Sequence, residues 1–281
     1  MTARGTSGDA HRRRRLLIAG AAVLFAVAGV ALILLRPGAA KPPADTAAGL
    51  IPADALVYVH LSTDPDRGED AELRERLEKL PAYRSLRDQV VRAVGAQGGL
   101  DLQKDIRPWL GDEAAFALLA SDGTVAPSLL ALRVRDKAKA RELVERGTVA
   151  TERRGVDVVA LGTVFAAFAG EFLVIGQRPA VEAAIDRQQG RGARLSESAG
   201  YTAAAASRED DRVMTVHLSP EGVRRVLRPQ GGLLAAVGGA LDHPALRAAS
   251  LTVAPADGGV RVVARASRTK SDTRPFEPQL V

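Results

Sequence analysis

The chain has 281 residues, of which 46% are hydrophobic, 26% are charged and 4% are aromatic, and it contains no cysteine. This composition supports a hydrophobic core for one or two domains and excludes disulfides, thiolate metal ligands and a cysteine nucleophile. The net charge is +6, but five of the 39 basic residues and only one of the 33 acidic residues lie in residues 1–35. Because the rest of the chain is nearly neutral, it offers no basic surface for nucleic acid, and we expect no nucleic-acid partner.

The first predicted element is a transmembrane helix over Leu16–Leu35. These residues carry no charge, and a helix of this length spans about 30 Å, the hydrocarbon thickness of a bilayer. The positive-inside rule places residues 1–15 in the cytoplasm and the following chain outside, giving a single-pass protein of the cell membrane. The arginines that set this topology are Arg12, Arg13, Arg14 and Arg15.

Two alternatives to a permanent anchor remain open. A secretory signal peptide could be cleaved near residues 38–40, and residues 13–17 fit the loose twin-arginine pattern. The length of the apolar stretch favours an uncleaved anchor, because signal peptides have shorter apolar regions. Residues 36–49 are rich in Pro, Ala and Gly and predict a linker that lifts a domain off the membrane.

Residues 50–267 predict an extracytoplasmic α+β domain, followed by a disordered tail over 268–281. Strands joined by short turns pair antiparallel, so we expect a mainly antiparallel sheet with helices packed on one side. The predicted strands are Asp54–Ser62, Glu113–Ala120, Ser128–Val134, Gly155–Leu161, Thr163–Ala169, Phe172–Gly176, Asp211–Ser219, Leu246–Ala254 and Val260–Ala266. The predicted helices are Glu69–Gly95, Asp136–Arg146, Pro179–Gln188, Ser196–Ser207 and Pro220–Leu227.

Two of the predicted strands resemble each other. Val57–Ser62 reads VYVHLS and Val213–Ser219 reads VMTVHLS, and each opens a strand–helix unit that is followed by a hairpin. This pattern favours two divergent halves, about 50–190 and 195–267, although a single domain remains the alternative.

The same two strands supply a candidate polar face. His60, Ser62, His217 and Ser219 occupy equivalent alternating positions, which are typical of the solvent side of a half-exposed strand. A hydrolase or transferase would require His60 and His217 to meet in a cleft. Within one strand, however, His60 and Ser62 are roughly 7 Å apart, too far for a direct nucleophile–base hydrogen bond. No metal site is predicted, because no histidine lies four residues from another, no His-Glu-x-x-His string occurs, and we expect no carboxylate to cluster near His60 or His217.

The remaining motifs favour structural roles. Trp109 precedes an apolar strand and is interpreted as a core anchor. The uncharged segment Gly231–Leu241 predicts a short core helix or, alternatively, an apolar lip that contacts lipid or a partner. No phosphate-binding or dinucleotide-binding glycine motif occurs, so we predict no cofactor.

Three segments carry a resemblance to a known family: Ile51–Tyr58, Lys104–Glu113 and Gly170–Asp186. Together they resemble a bacterial family of membrane-anchored proteins classified as domain of unknown function 3352, over most of residues 50–267. The resemblance implies an N-terminal membrane helix and an extracytoplasmic region, but no activity or catalytic residue.

The expected function is therefore that of a non-enzymatic binding or interaction module of the cell envelope. Its expected partners are the lipid bilayer, through residues 16–35, and an envelope protein, lipid or wall component. The alternative is an envelope hydrolase or transferase that uses the two His-Leu-Ser strands. A further option is regulation of a membrane enzyme through helix–helix contact in the span.

Overall fold

The computed structural model describes residues 44–63, 101–123, 126–206, 208, 210–227, 229, 232–256 and 259–269. The predicted transmembrane helix, the predicted helix over Glu69–Gly95 and most of the predicted tail lie outside these residues. Within the described ranges, no helix combines the length and the apolar character needed to span a bilayer.

The described strands form one ten-stranded sheet in which every neighbouring pair is antiparallel. The strands are β1 Val57–Ser62, β2 Leu110–Leu118, β3 Ser128–Val134, β4 Thr148–Arg153, β5 Val156–Leu161, β6 Val164–Ala169, β7 Phe172–Gly176, β8 Met214–Leu218, β9 Leu246–Ala256 and β10 Gly259–Arg268. Their order across the sheet is β10-β9-β8-β1-β2-β3-β7-β6-β5-β4. The predicted antiparallel sheet is confirmed. The pattern misses β4, whose largely exposed side chains show no apolar alternation.

Five α-helices accompany the sheet in the described residues: α1 Lys137–Val144, α2 Arg178–Gln188, α3 Ala199–Ala205, α4 Pro220–Gly222 and α5 Gly232–Leu241. Local signals explain where they begin. Asp136 caps α1 by accepting hydrogen bonds from two backbone N–H groups, and Ser198 caps α3 by accepting one from the Tyr201 N–H. Pro179 occupies the first turn of α2, where a missing N–H carries no cost.

Helices cover both faces of the sheet, so the prediction of helices on one side is wrong. One face buries Val59 of β1 against a core that includes Leu143 of α1. The opposite face buries Tyr58 of β1 in a second core that includes Ile185 of α2. The physical reason is that all six residues of β1 are buried, and a strand buried on both faces needs a covering layer on each side.

The two similar segments lie side by side at the middle of the sheet. β1 pairs with β8, and each begins a three-stranded run that continues outward through a hairpin, β2–β3 on one side and β9–β10 on the other. The sheet therefore passes between the two predicted halves without a break.

Candidate functional site

A layer of polar side chains crosses the centre of the sheet on the face that carries Tyr58. The strand register sets Tyr58 opposite His217, His60 opposite Thr215, and Ser62 opposite Glu113. Facing residues of an antiparallel pair point to the same side of the sheet. These side chains therefore belong to one face and make up what we call the polar layer: Tyr58, His60, Ser62, Glu113, Thr215 and His217.

The polar layer is buried, so the prediction of a half-exposed strand with a solvent-facing polar side is wrong. His60 is 1% exposed, Glu113 is 1% exposed and His217 is 3% exposed. The layer is covered by residues from other parts of the chain, above all the segment that begins at Asp45. This segment was predicted as the end of the linker over 36–49, yet Ala47 and Ala48 are fully buried in a 3₁₀ turn.

Glu113 accepts hydrogen bonds from the segment that begins at Asp45 and so links it to the sheet. The hydroxyl of Thr46 donates to Glu113 Oε2 at 2.6 Å, and the backbone N–H of Ala47 donates to Oε1 at 2.7 Å. Arg133 Nη1 lies 3.7 Å from Oε2 and supplies a nearby positive charge. The buried carboxylate therefore has hydrogen-bond and charge partners, as a charge in a protein interior requires.

Asp45 is the second buried carboxylate. Tyr58 donates its hydroxyl to Asp45 Oδ1 at 2.5 Å, and Tyr201 of α3 donates its hydroxyl to Oδ2. Arg208 Nη1 donates to Oδ2 at 2.7 Å and its guanidinium stacks over the Tyr201 ring. The side chains of Arg208 and Asp45 are only 5% and 7% exposed, so this ion pair is shielded from water.

The pKa shifts in this group follow from burial and charge. Burial alone would raise the pKa of Asp45, but the field of His60 and Arg208 and the two tyrosine hydrogen bonds outweigh it and lower that pKa. Burial and the nearby Asp45 charge raise the pKa values of Tyr58 and Tyr201. Both tyrosines therefore remain neutral hydrogen-bond donors to an ionised carboxylate.

His60 is the least satisfied member of the polar layer. In the part of the chain that the structure describes, neither of its ring nitrogens has a hydrogen-bond partner, although Nε2 lies 3.5 Å from Glu113 Oε1. Asp45, His60 and Glu113 each offer one ligand atom, and these atoms lie within 4.8 Å of one another. Among the described residues, this is the group of histidine and acidic side chains whose geometry would suit a metal ion. The expectation that no carboxylate lies near either histidine is therefore wrong.

His217 shares the polar layer but has different neighbours. Its ring packs against Tyr201 at a centroid separation of 5.6 Å, and its Nδ1 atom has no hydrogen-bond partner. Burial, and then the positive charge of Arg208, lower the pKa of His217 to about 4. His217 and His60 lie on adjacent strands as diagonal neighbours rather than opposite each other, and both are buried, whereas the hydrolase hypothesis requires them to meet in a cleft.

The other predicted site residues lie apart from this cluster. Ser219 begins α4, where its hydroxyl accepts from the Gly222 N–H at 3.1 Å, so it serves as a helix cap. Trp109 is 1% exposed and donates its indole N–H to the Asp105 carbonyl. The arginines of the predicted topology, Arg12 to Arg15, lie outside the described residues.

Sequence patterns contain no signal that would assemble Asp45, His60 and Glu113. Asp45 lies in a segment that reads as a linker, and Glu113 lies in a strand that reads as apolar. The single available signal is the alternation in β1, which places Tyr58 and His60 on one face. Which other side chains cover that face depends on the tertiary fold.

The ten-stranded antiparallel sheet, its helices and its buried polar layer define an α+β protein. Its sequence matches the model of the family described as "Protein of unknown function (DUF3352)" over residues 17–276, so the chain belongs to this family. The resemblance drawn from the three sequence segments is thus confirmed. No curated protein matches the chain.

Solved structures of TP0453 resemble the fold. Crystal form I has a TM-score of 0.45 and 11% sequence identity, covering 84% of this chain and 82% of that chain. Crystal form III has a TM-score of 0.43 and 10% identity, covering 84% and 83%. At these values the similarity carries no inference about the function of this chain.

Proposed function

We propose that this protein is a non-enzymatic binding module of the cell envelope, anchored by residues 16–35 with its folded region outside the cell membrane. The uncharged stretch and its preceding arginines support the topology. The observation that supports a non-enzymatic role is the burial of the polar layer. Its histidines and Ser62 are at most 4% exposed, and catalytic groups must reach a substrate.

The hydrolase or transferase alternative has weaker support. The hydroxyl of Ser62 has no hydrogen-bond partner among the residues that the structure describes, whereas an activated serine nucleophile needs contact with its base. The hydroxyl of Ser219 is engaged in capping α4. No described serine of the two His-Leu-Ser strands is therefore paired with a histidine as a catalytic nucleophile would be.

The binding surface that we infer is the outer side of β10, one of the two edges of the sheet. An edge strand has backbone N–H and C=O groups that can pair with an extended segment of another chain. The charged residues of β10 are all arginines, of which Arg261 pairs with Asp211, and Val262 on this strand is 58% exposed. These features fit an extended, acidic segment of an envelope protein.

The opposite edge provides a comparison. β4 contains Val149, which is 60% exposed, but its charged residues are Glu152 and Arg153, of opposite sign. An acidic segment should therefore prefer β10 over β4. Pairing of β10 with a second copy of itself is disfavoured, because it would bring arginines from both strands close together.

Site-specific photocrosslinking in intact membranes tests this proposal. A photoreactive residue replaces Val262 or, as the matched control, Val149 in the full chain. We expect a discrete adduct at position 262 that weakens at high salt, with an acidic segment of the partner in the crosslinked peptide. An adduct with the mass of a dimer, equal labelling at both positions, or no adduct would overturn the proposed surface.

The topology needs its own test, because it does not depend on β10. The test fuses to Val281 a reporter that is active only outside the cytoplasm. We expect this reporter to be active. Activity of a cytoplasm-specific reporter at the same position would overturn the envelope assignment, whatever the crosslinking shows.

A further inference from the structure

We propose that Asp45, His60 and Glu113 bind a divalent transition-metal ion, with Zn²⁺ as the first candidate, in a buried structural site. The ion would fasten the segment that follows the membrane linker to the centre of the sheet. This inference goes beyond the binding role proposed above and does not depend on it.

The first argument is the environment of His60. Its two nitrogens are buried and have no hydrogen-bond partner among the described residues, and a buried unsatisfied polar group destabilises the fold. Nε2 faces Glu113 Oε1 at 3.5 Å without forming a hydrogen bond. If both atoms present lone pairs, they repel each other in a medium that screens charge poorly. A cation held between them removes this repulsion.

The second argument is the spacing of the ligand atoms. Zinc binds histidine nitrogen and carboxylate oxygen at roughly 2.0–2.2 Å, so two ligands of a tetrahedral site lie about 3.4 Å apart. The separation of 3.5 Å between His60 Nε2 and Glu113 Oε1 agrees with this value. The three ligand atoms lie within 4.8 Å of one another, which a small inward shift of the carboxylates would bring to bonding distance.

The third argument is the remaining capacity of the two carboxylates, since each oxygen can accept two hydrogen bonds. Among the described residues, Asp45 Oδ2 accepts from both Tyr201 and Arg208, whereas Oδ1 accepts from Tyr58 alone. Within the same residues, Glu113 Oε1 accepts one hydrogen bond, from the Ala47 N–H. Each carboxylate therefore keeps a lone pair for a metal ion, while its present donors would orient it as outer-shell partners orient metal ligands.

The fourth argument is the chemistry of the donor set. One imidazole nitrogen and two carboxylate oxygens suit Zn²⁺, Mn²⁺ or Fe²⁺ better than Mg²⁺ or Ca²⁺, which prefer oxygen ligands throughout. Two buried carboxylates also supply the negative charge that a divalent ion requires. Arg208 offsets part of that charge through Asp45, and Arg133 lies near Glu113.

The competing explanation is that a proton on His60, rather than a metal ion, lies between the imidazole and the carboxylates of Asp45 and Glu113.

The experiment starts from the full chain, purified in detergent without chelators and analysed for bound metals. The protein is then unfolded with chelator and refolded with Zn²⁺, Co²⁺, Mg²⁺ or no metal. We expect one equivalent of zinc per chain, visible absorption bands in the Co²⁺ form, and a higher Tm with Zn²⁺ than with Mg²⁺.

Variants identify the ligands. We expect His60→Gln and Glu113→Gln to weaken Zn²⁺ binding by at least ~100-fold, because loss of an outer-shell partner alone costs 10–100-fold. His217→Gln is the matched control, since it changes a buried histidine of the same layer that is not among the three ligands. It should retain the metal.

Three results would overturn the proposal. The first is a wild-type chain that folds without bound metal and whose Tm is unaffected by refolding with Zn²⁺ or Co²⁺. The second is unchanged zinc affinity in His60→Gln. The third is equal loss of zinc in His217→Gln. If the ligand variants fail to fold, the metal content and the Co²⁺ spectrum of the wild-type chain decide the question.

Discussion

Val59 of β1 lies directly opposite Val216 of β8. In the aligned segments VYVHLS and VMTVHLS, these two valines are equivalent, so each strand pairs with its own counterpart about a local two-fold axis. The pairs on either side of this centre obey the same two-fold relationship. Tyr58 faces His217, and their equivalents, Thr215 and His60, face each other.

The backbone hydrogen bonds between the two segments obey the same two-fold relationship. The Ser62 N–H donates to the Val213 carbonyl at 3.0 Å, and the equivalent Ser219 N–H donates to the Leu56 carbonyl at 3.1 Å. Such a relationship is what duplication of a strand–helix–hairpin unit would produce, and it supports the hypothesis of two divergent halves, which stays a prediction. The two histidines have nevertheless diverged in surroundings, since the two carboxylates cluster with His60.

Substitution of Asp45 should be strongly destabilising. Asp45→Asn would leave the Arg208 guanidinium buried without its counter-charge, and breaking a buried ion pair on one side costs about 3–5 kcal/mol. Because the pKa of Asp45 is lowered in the folded state, its contribution is present above pH 3.8 and is lost as the pH falls below that value. Urea unfolding at neutral pH with chelator present measures the difference.

An exposed ion pair provides the control for Asp45. Asp211 pairs with Arg261, and these side chains are 45% and 47% exposed. Asp211→Asn should therefore change the free energy of unfolding by no more than about 1 kcal/mol. Similar losses in the two variants would contradict the shielded role of the Asp45–Arg208 pair.

His217 should make the fold sensitive to mild acid. Its pKa is about 4 when folded and 6.5 as the ordinary value, so between these pH values the unfolded chain binds a proton that the folded chain does not. The free energy of unfolding should thus fall as the pH drops from 6.5 to 4, by up to about 3 kcal/mol from this residue. Urea unfolding of the wild type and of His217→Gln at pH 7 and pH 4.5 measures it. Between pH 7 and pH 4.5 the wild type should lose more stability than His217→Gln. Equal losses in the two proteins would disprove the lowered pKa of His217.

Gly222 should not tolerate a side chain. A Cβ at this position would lie 1.9 Å from the Leu56 carbonyl oxygen, which is part of the backbone next to β1. Gly222→Ala should therefore cost about 3 kcal/mol or more, because α4 would have to move away from the sheet. Gly239 in α5 is the control, since an added Cβ there meets nothing within 4 Å. Gly239→Ala should be neutral or stabilising by up to about 1 kcal/mol in thermal unfolding.

The two serines of the His-Leu-Ser strands should respond in opposite ways. Ser219→Ala removes the cap of α4 and should cost about 1 kcal/mol. Ser62→Ala removes a buried hydroxyl without a partner and should be neutral or slightly stabilising. Chemical unfolding of both variants measures the contrast. A large loss of stability in Ser62→Ala would contradict the absence of a hydrogen-bond partner for this hydroxyl.

Local patterns were sufficient to predict most of the sheet. Period-two alternation and short turns identify β1, β2, β3 and the β9–β10 hairpin, because strand pairing through tight turns depends on residues close in sequence. The same patterns place the caps of α1 and α2 within one or two residues. They miss β4 because an exposed edge strand lacks the apolar alternation that burial imposes.

The sequence by itself determined the antiparallel sheet, the family and the alternation that puts His60 and Tyr58 on one face. Only the tertiary structure decided that this face is buried and that two carboxylates reach it. Asp45 accepts from Tyr58, 13 residues away, and is held by Tyr201 and Arg208, which lie 156 and 163 residues from it in the chain. Periodicity reports which side chains share a face, but whether that face meets water or a second layer depends on long-range packing, which no local pattern contains.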